Sequence, residues 1–403
     1  MSTKNSVFGL TGKVQHYQWG GYNYIPQLLG ITNSGQQPFA EYWLGAHENA
    51  PAQVENNGNL AAFIQQNPAH LGPSTQQQFG RLPYLLKILD VKDMLSIQVH
   101  PNKKAAAFEF ASENKKGTPL NAANRNYKDD NHKPELMMAL SDFWLLHGFQ
   151  TPERLKTTLA AVPEFDFMWP VFEAGGYKAL YEAVMTMPQQ QVNAVLQPLL
   201  NRIIPLYQAG QLQKSGPDFW AARAALTFNQ ADIIDRGIFS IYLFNVVYMK
   251  KGEAIFQDAG ILHAYLEGQN VEIMANSDNV LRGGLTPKHI DVDELLKHVV
   301  FEPIEPAIIQ GQPASSAETV FKTPAPDFEL SRILLAADQG CNINIASTDI
   351  FLVLDGTVTV TEGGSSKAFK KGEAFVVVHG AALQLATATG AELYRASVPA
   401  KSQ

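Results

Sequence analysis

The stretch LSIQVH, residues 95–100, alternates aliphatic and polar side chains. This alternation predicts a strand with one face on a core, so Ser96, Gln98 and His100 share the opposite face. A hydroxyl, an amide and an imidazole then stand in one row, and the chain turns at Pro101. A second chemical signal comes from a repeat. The pentapeptide KKGEA occurs at 250–254 and again at 370–374, and each copy has a glycine at the same later offset, Gly260 and Gly380. The first copy continues to His263, where the second has Leu383. Read as a duplicated β-unit, the first copy can offer an imidazole to a metal and the second cannot. His379 lies before the corresponding slot and does not replace the missing group.

Both features need elements to carry them. The first 150 residues read as short strands and turns, with LPYLLKILDV and DMLSIQVHP as strands and GNLAAFIQQNPAHLG as a short helix. NKKAAAFEFASENKKG reads as a helix capped by Asn102 and stopped by Gly117. From Thr151 the period becomes helical. TPERLKTTL opens with a cap, a Pro and an acid. Val192, Val195, Leu196, Leu199, Leu200 and Ile203 share one helical face, which Pro198 should kink or split. GPDFWAARAALTFNQ is a further helix, and strands return at SIYLFNVVYMKKGEAIF. The organisation expected is a discontinuous catalytic β-domain (1–150 and 233–310), a helical insert (151–232), a linker (311–327) and a C-terminal β-domain without metal ligands (328–403).

The composition narrows the function classes. The chain has 403 residues, is 45% hydrophobic and 17% charged, and carries a net charge of −7, with no Lys/Arg-rich block to suggest nucleic acid. A single cysteine, Cys341, excludes an intramolecular disulfide and a Cys-based zinc site. MSTKNSVFGL lacks the apolar run of a signal peptide, and no stretch approaches the ~20 apolar residues of a membrane span. A soluble, cytoplasmic protein without a membrane partner is expected. The sequence carries no signal for an oligomeric state.

Gly252-x5-Asp258-x-Gly260-x2-His263 resembles the second signature of the cupin fold, with Asp258 where that family often has Pro. Gln98-x-His100 stands where the first cupin signature has His-x-His, and Glu135 supplies its carboxylate after a long insertion. Two imidazoles, a carboxylate and an amide oxygen favour zinc, with room for water or substrate. LSIQVHPNK, HKPELMMAL, GILHAYLEG and VEIMANSDNVLRGGLTPKHID go further. Together with VQHYQWGG, AEYWLGAHENAP and LPYLLKIL, they resemble the signature segments of the type I mannose-6-phosphate isomerases along essentially the whole chain.

The resemblance implies a mainly β fold of cupin-like (jelly-roll) domains, a catalytic domain plus a degenerate C-terminal copy, with a helical insertion. It implies one zinc ion per chain on Gln98, His100, Glu135 and His263. The family's active-site arginine falls on Arg282 and the lysine of its TPK segment on Lys288, while Lys133, Glu272 and Asp278 line the same pocket. Ser96 and Lys87 match positions that face the sugar phosphate. Gly283-Gly284 follows Arg282 where many relatives have Ala-Gly. The implied reaction interconverts mannose 6-phosphate and fructose 6-phosphate through a cis-enediol. A metal polarises the sugar oxygens, and an acid–base group moves a proton between C2 and C1. Arg282 is too weak a base for that and is assigned to charge stabilisation or phosphate binding. Lys133, Lys288, Glu272, His132 and Asp278 remain as base candidates, and the sequence does not rank them.

Two other readings compete. A cupin-type iron oxygenase needs two imidazoles and a carboxylate with open positions; Gln98 as a fourth ligand speaks against it, and metal analysis with oxygen uptake separates the two. A non-catalytic sugar-phosphate-binding bicupin would bind the sugar and leave the ketose/aldose ratio unchanged. His16, His47, His70, His147, His289 and His298 show no partner pattern and are expected to be structural. The aromatics of DFWLLHGF are expected in a core rather than as a sugar platform.

Overall fold

The computed structural model describes residues 6–400; the first five and last three positions of the expected terminal domains lie outside it. The strand Tyr84–Val91 is buried along its whole length. Its two faces do different work. Leu86 and Ile88 pack into a core shared with the C-terminal sheet, while Leu89 and Val91 belong to a separate cluster inside the first barrel. A strand covered on both sides reads as a continuous apolar run, which makes Lys87, on the inward face, the exception to explain.

The 13-residue strand His263–Ala275 is the seam of that barrel. Its beginning pairs with Phe143–Phe149 and Gln98, and its end pairs with Tyr84–Val91 and Glu135–Ala139. The change of partners falls at a register shift between Tyr265 and Glu267, next to Gly268 at φ 129°. A Cβ on Gly268 would lie 2.6 Å from the Asp142 carbonyl oxygen, so only glycine lets the strand bend between layers.

The helical insertion covers the outer face of the other layer. Phe149, Leu262, Ala264 and Leu281 share one core with Leu155, Val184, Leu196, Ile203, Trp220 and Tyr242. Asn102 and Thr151 cap their helices by accepting from Ala105 N and Arg154 N, and Gly117 ends the helix Lys103–Lys116 in the left-handed region. The helix Gln189–Gln208 is not split: it runs through Pro198 and Pro205. Burial of Val192, Leu196, Leu199, Leu200 and Ile203 on one face offsets the backbone bonds the prolines remove. Ser240–Leu243, expected in a strand, closes the buried helix Gly237–Leu243, and the strand begins at Phe244. A fully buried apolar run carries no period to separate the two states.

The repeat is visible in the backbone. Lys250 N and Lys370 N donate to Glu253 and Glu373 Oε2 at 2.8 and 3.0 Å, and Gly252 and Gly372 sit at φ 93° and 82°. In the second copy Leu383 is buried in an apolar core where Phe375 stacks between Phe351 and Phe369, at 4.7 and 4.4 Å. The C-terminal sheet also takes chain from elsewhere. The N-terminal strand Val7–Thr11 pairs with Ala374–Val377, and two strands inside the expected linker, Gln312–Pro313 and Glu318–Phe321, extend the sheet's edge.

Candidate active site

Opposed residues on paired strands share a face. His147 pairs with His263, His263 with Gln98, and Gln98 with Arg282, so these four stand in one row across four strands. The strand is shorter than the alternation predicts. Only Gln98–Val99 is regular, and Ser96 lies just before it. The neighbouring backbone explains this: Leu95 N donates to Tyr265 O and Ile97 N to Gly284 O, so the segment bridges two chains instead of continuing one ladder.

Glu135 begins the strand Glu135–Ala139 and faces both imidazoles. Its Oε1 is 3.5 Å from His100 Nε2 and its Oε2 is 3.4 Å from His263 Nε2. Each histidine donates from Nδ1 to a backbone carbonyl, His100 to Asn279 O at 2.8 Å and His263 to Ile261 O at 2.9 Å. A carbonyl only accepts, so the Nε2 lone pairs point into the centre. His100 is fully buried, and burial, helped by the charge of Lys133, pushes its pKa down to about 4, so it is neutral. Its Nε2 is buried without a hydrogen-bond partner. Burial opposes the charge on Glu135, but Lys133, with Nζ 3.2 Å from Oε1, holds its carboxyl well below the usual range. Two lone pairs and a carboxylate thus face one another, acceptors against acceptors, within 4.8 Å. A divalent cation satisfies such an arrangement, and Gln98, beside His263 in the ladder, stands next to it.

A second charged cluster lines the same inward face. Lys87 Nζ lies 3.2 Å from Glu272 Oε2 and 3.5 Å from Glu41 Oε2, and 5.0 Å above the Trp43 ring. Burial works against its charge, yet Glu41, Glu272 and Glu135 raise its pKa, so it stays cationic. Burial and Glu135 push the Glu272 carboxyl up, and Tyr265 Oη donates to it at 2.8 Å. At the rim, Asp278 Oδ1 meets His47 Nε2 at 3.1 Å. Burial lowers the pKa of Arg282, and burial with the charge of Arg282 lowers that of Lys288. His132 is drawn elsewhere: its Nε2 lies 2.9 Å from Asp327 Oδ2, at the end of the expected linker.

Several residues of the site had no assigned role in the sequence, although Glu41, His47 and Asn279 lie in the segments AEYWLGAHENAP and VEIMANSDNVLRGGLTPKHID. His47 and His147, expected to be structural, meet Asp278 and Gln257 Oε1, the latter at 2.7 Å. Glu41 could be found only by extending the alternation of Glu41, Trp43 and Gly45 onto the inward face. Asn279 was the largest omission. It is fully buried and ties its carbonyl to His100 and its side chain to residues 128–131. Asp258, in the usual Pro slot, accepts from Ala259 N at 2.7 Å and so fixes the turn by a side chain.

Comparison with known proteins adds the family. The model of the "Phosphomannose isomerase type I, catalytic domain" matches residues 7–152. The mannose-6-phosphate isomerase of Salmonella typhimurium is 36% identical over 378 residues, covering 90% of this chain and 93% of that one. The chain belongs to the type I phosphomannose isomerases. The Escherichia coli member is 35% identical over 384 residues, 92% of this chain and 94% of its own. Among solved members, the Salmonella enzyme bound to substrate (f6p) and zinc superposes with a TM-score of 0.86 at 34% identity, over 98% of this chain and 100% of that one. The mainly β, cupin-fold architecture with its helical insertion is therefore the phosphomannose isomerase fold.

Proposed function

We infer that this protein is a zinc-dependent mannose-6-phosphate isomerase, interconverting mannose 6-phosphate and fructose 6-phosphate. The carrying observation is the opposition of two Nε2 lone pairs and a buried carboxylate, with family membership beside it. His100, Glu135 and His263 would hold the ion, with Gln98 completing the set. When bound, zinc supplies Lewis-acid polarisation of the sugar's C1 and C2 oxygens.

The protein groups divide the remaining work. Lys133, 3.2 Å from Glu135, places positive charge where oxyanion character develops. Arg282 and Lys288 form the cationic rim for the phosphate. Lys87, held charged between Glu41 and Glu272, is no proton acceptor; it orients the Glu272 carboxylate. Glu272 is the base that the arrangement favours over Lys133, Lys288, Asp278 and His132. Its raised pKa moves it toward the operating pH, Asp278 is tied to His47 and His132 to Asp327. The helical insert and the C-terminal domain act as the walls that fix the two layers of the barrel.

No helix among the described residues is long and apolar enough to cross a membrane; we infer a cytoplasmic enzyme, in line with its single cysteine. A coupled assay on zinc-loaded protein tests the reading: turnover must be present, vanish on chelation and return with zinc. Iron with oxygen uptake, or sugar-phosphate binding without isomerisation, would replace it.

A further inference from the structure

The loop that follows Arg282 is seated on the helical insertion residue by residue. A Cβ on Gly283 would lie 2.7 Å from Tyr181 Oη, and a Cβ on Gly237 would lie 2.8 Å from Gly284 Cα and 2.6 Å from Leu285 N. The two backbones are in direct contact there, which only glycine permits. Leu285 is held at φ 54°, a conformation that costs a non-glycine residue energy and needs an external constraint. The constraint is Asp235. Its Oδ1 accepts from Gly237 N at 2.7 Å and Leu285 N at 2.9 Å, and its Oδ2 accepts from Thr286 N at 3.0 Å. One carboxylate thus joins the first turn of the helix Gly237–Leu243 to the loop between Arg282 and Lys288. Asp235 is itself oriented by its own N–H, which donates to Asn229 Oδ1 at 3.0 Å.

We propose that Asp235 is a positioning residue for substrate recognition, acting through the loop it clamps to aim Arg282 and Lys288 at the sugar's phosphate. The inference rests on the isomerase reading and goes beyond it by giving the helical insertion a defined part in substrate binding. The Asp235 carboxylate bonds to the backbone N–H groups of Gly237, Leu285 and Thr286 and to none of His100, Glu135 and His263, so its loss acts on affinity rather than on the chemical step. Asp235→Ala frees three N–H groups and lets the loop move. Asp235→Asn keeps one acceptor but turns an NH2 group toward backbone donors, and its effect is intermediate.

The test compares wild type, Asp235→Ala and Asp235→Asn in zinc-loaded form. KM and kcat are measured with mannose 6-phosphate, fructose 6-phosphate affinity by calorimetry, zinc content by metal analysis, and folding by thermal melting. The expected result is a rise of roughly 10- to 100-fold in KM and Kd for Asp235→Ala, with kcat within a few-fold and zinc content unchanged. A fall in kcat that tracks the folded fraction at unchanged KM and Kd would reduce Asp235 to a structural residue and overturn the proposal. If Asp235→Ala does not fold, Gly284→Ala, which separates the same two backbones with Asp235 intact, must raise KM and Kd in the same way; unchanged values overturn the proposal equally. Should the wild type bind fructose 6-phosphate without isomerising it, the functional reading fails, while the Kd comparison still decides the clamp.

Discussion

Asn279 carries more of the site than its size suggests. It is fully buried. Its Nδ2 donates to Asp129 O at 2.8 Å and Asn131 O at 2.9 Å, and its Oδ1 accepts from Lys128 N at 2.7 Å. Its own carbonyl fixes the His100 tautomer. Asn279→Ala leaves Lys128 N, Asp129 N and Asp129 O without partners, while Asn131 O keeps Ser277 Oγ at 3.3 Å. At about 1–3 kcal/mol each, less what relaxation recovers, the cost is about 3–5 kcal/mol. Asn279→Asp keeps the Lys128 contact but aims an anionic oxygen at two carbonyls and at Asp129 Oδ1, which Nδ2 meets at 3.2 Å. It should be at least as destabilised despite its identical shape. Because Asn279 orients His100, zinc affinity should also fall, by roughly 10- to 100-fold. Denaturant unfolding of the apoprotein and zinc competition against a chelator measure the two effects separately. Both variants within about 0.5 kcal/mol of wild type, with unchanged zinc affinity, would refute the hub role.

Three further outcomes follow from the same geometry. Burial holds His100 and His147 at about 4, below the ordinary 6.5. The unfolded chain therefore takes up protons first, and apoprotein stability is fully present above pH 6.5 and lost as pH falls toward 4, by up to about 3 kcal/mol per histidine. A flat pH–stability curve across that window would contradict the neutral assignment. His132→Ala should keep zinc and most turnover while losing about 1 kcal/mol of stability through the Asp327 contact; loss of turnover in well-folded protein would return His132 to the reaction. Gly268→Ala should destabilise by about 3 kcal/mol, because its φ of 129° and the Asp142 carbonyl both exclude a Cβ, and a wild-type melting temperature would show that the seam strand does not need that bend.

What was legible in the sequence depended on distance along the chain. The caps at Asn102 and Thr151, the stop at Gly117 and the twin KKGEA turns are local devices, and the structure contains them as read. His100, Glu135 and His263 stood out because each sits in a motif, and the structure brings the three together. Lys87, Glu41 and Glu272 meet only because three strands, distant in sequence, pair side by side. Asn279 and Asp235 act on backbone groups, which carry no residue signature. The helix Gly237–Leu243 was unreadable for a different reason: every residue in it is buried, so no polar face marks its period.

Crystals of the zinc-loaded protein, measured at the zinc absorption edge, test the central claim most directly. The account predicts one anomalous peak per chain, about 2.0–2.2 Å from His100 Nε2, His263 Nε2 and a Glu135 oxygen, with the Gln98 side chain turned toward it. An empty centre, or a peak at any other group of side chains, would contradict it.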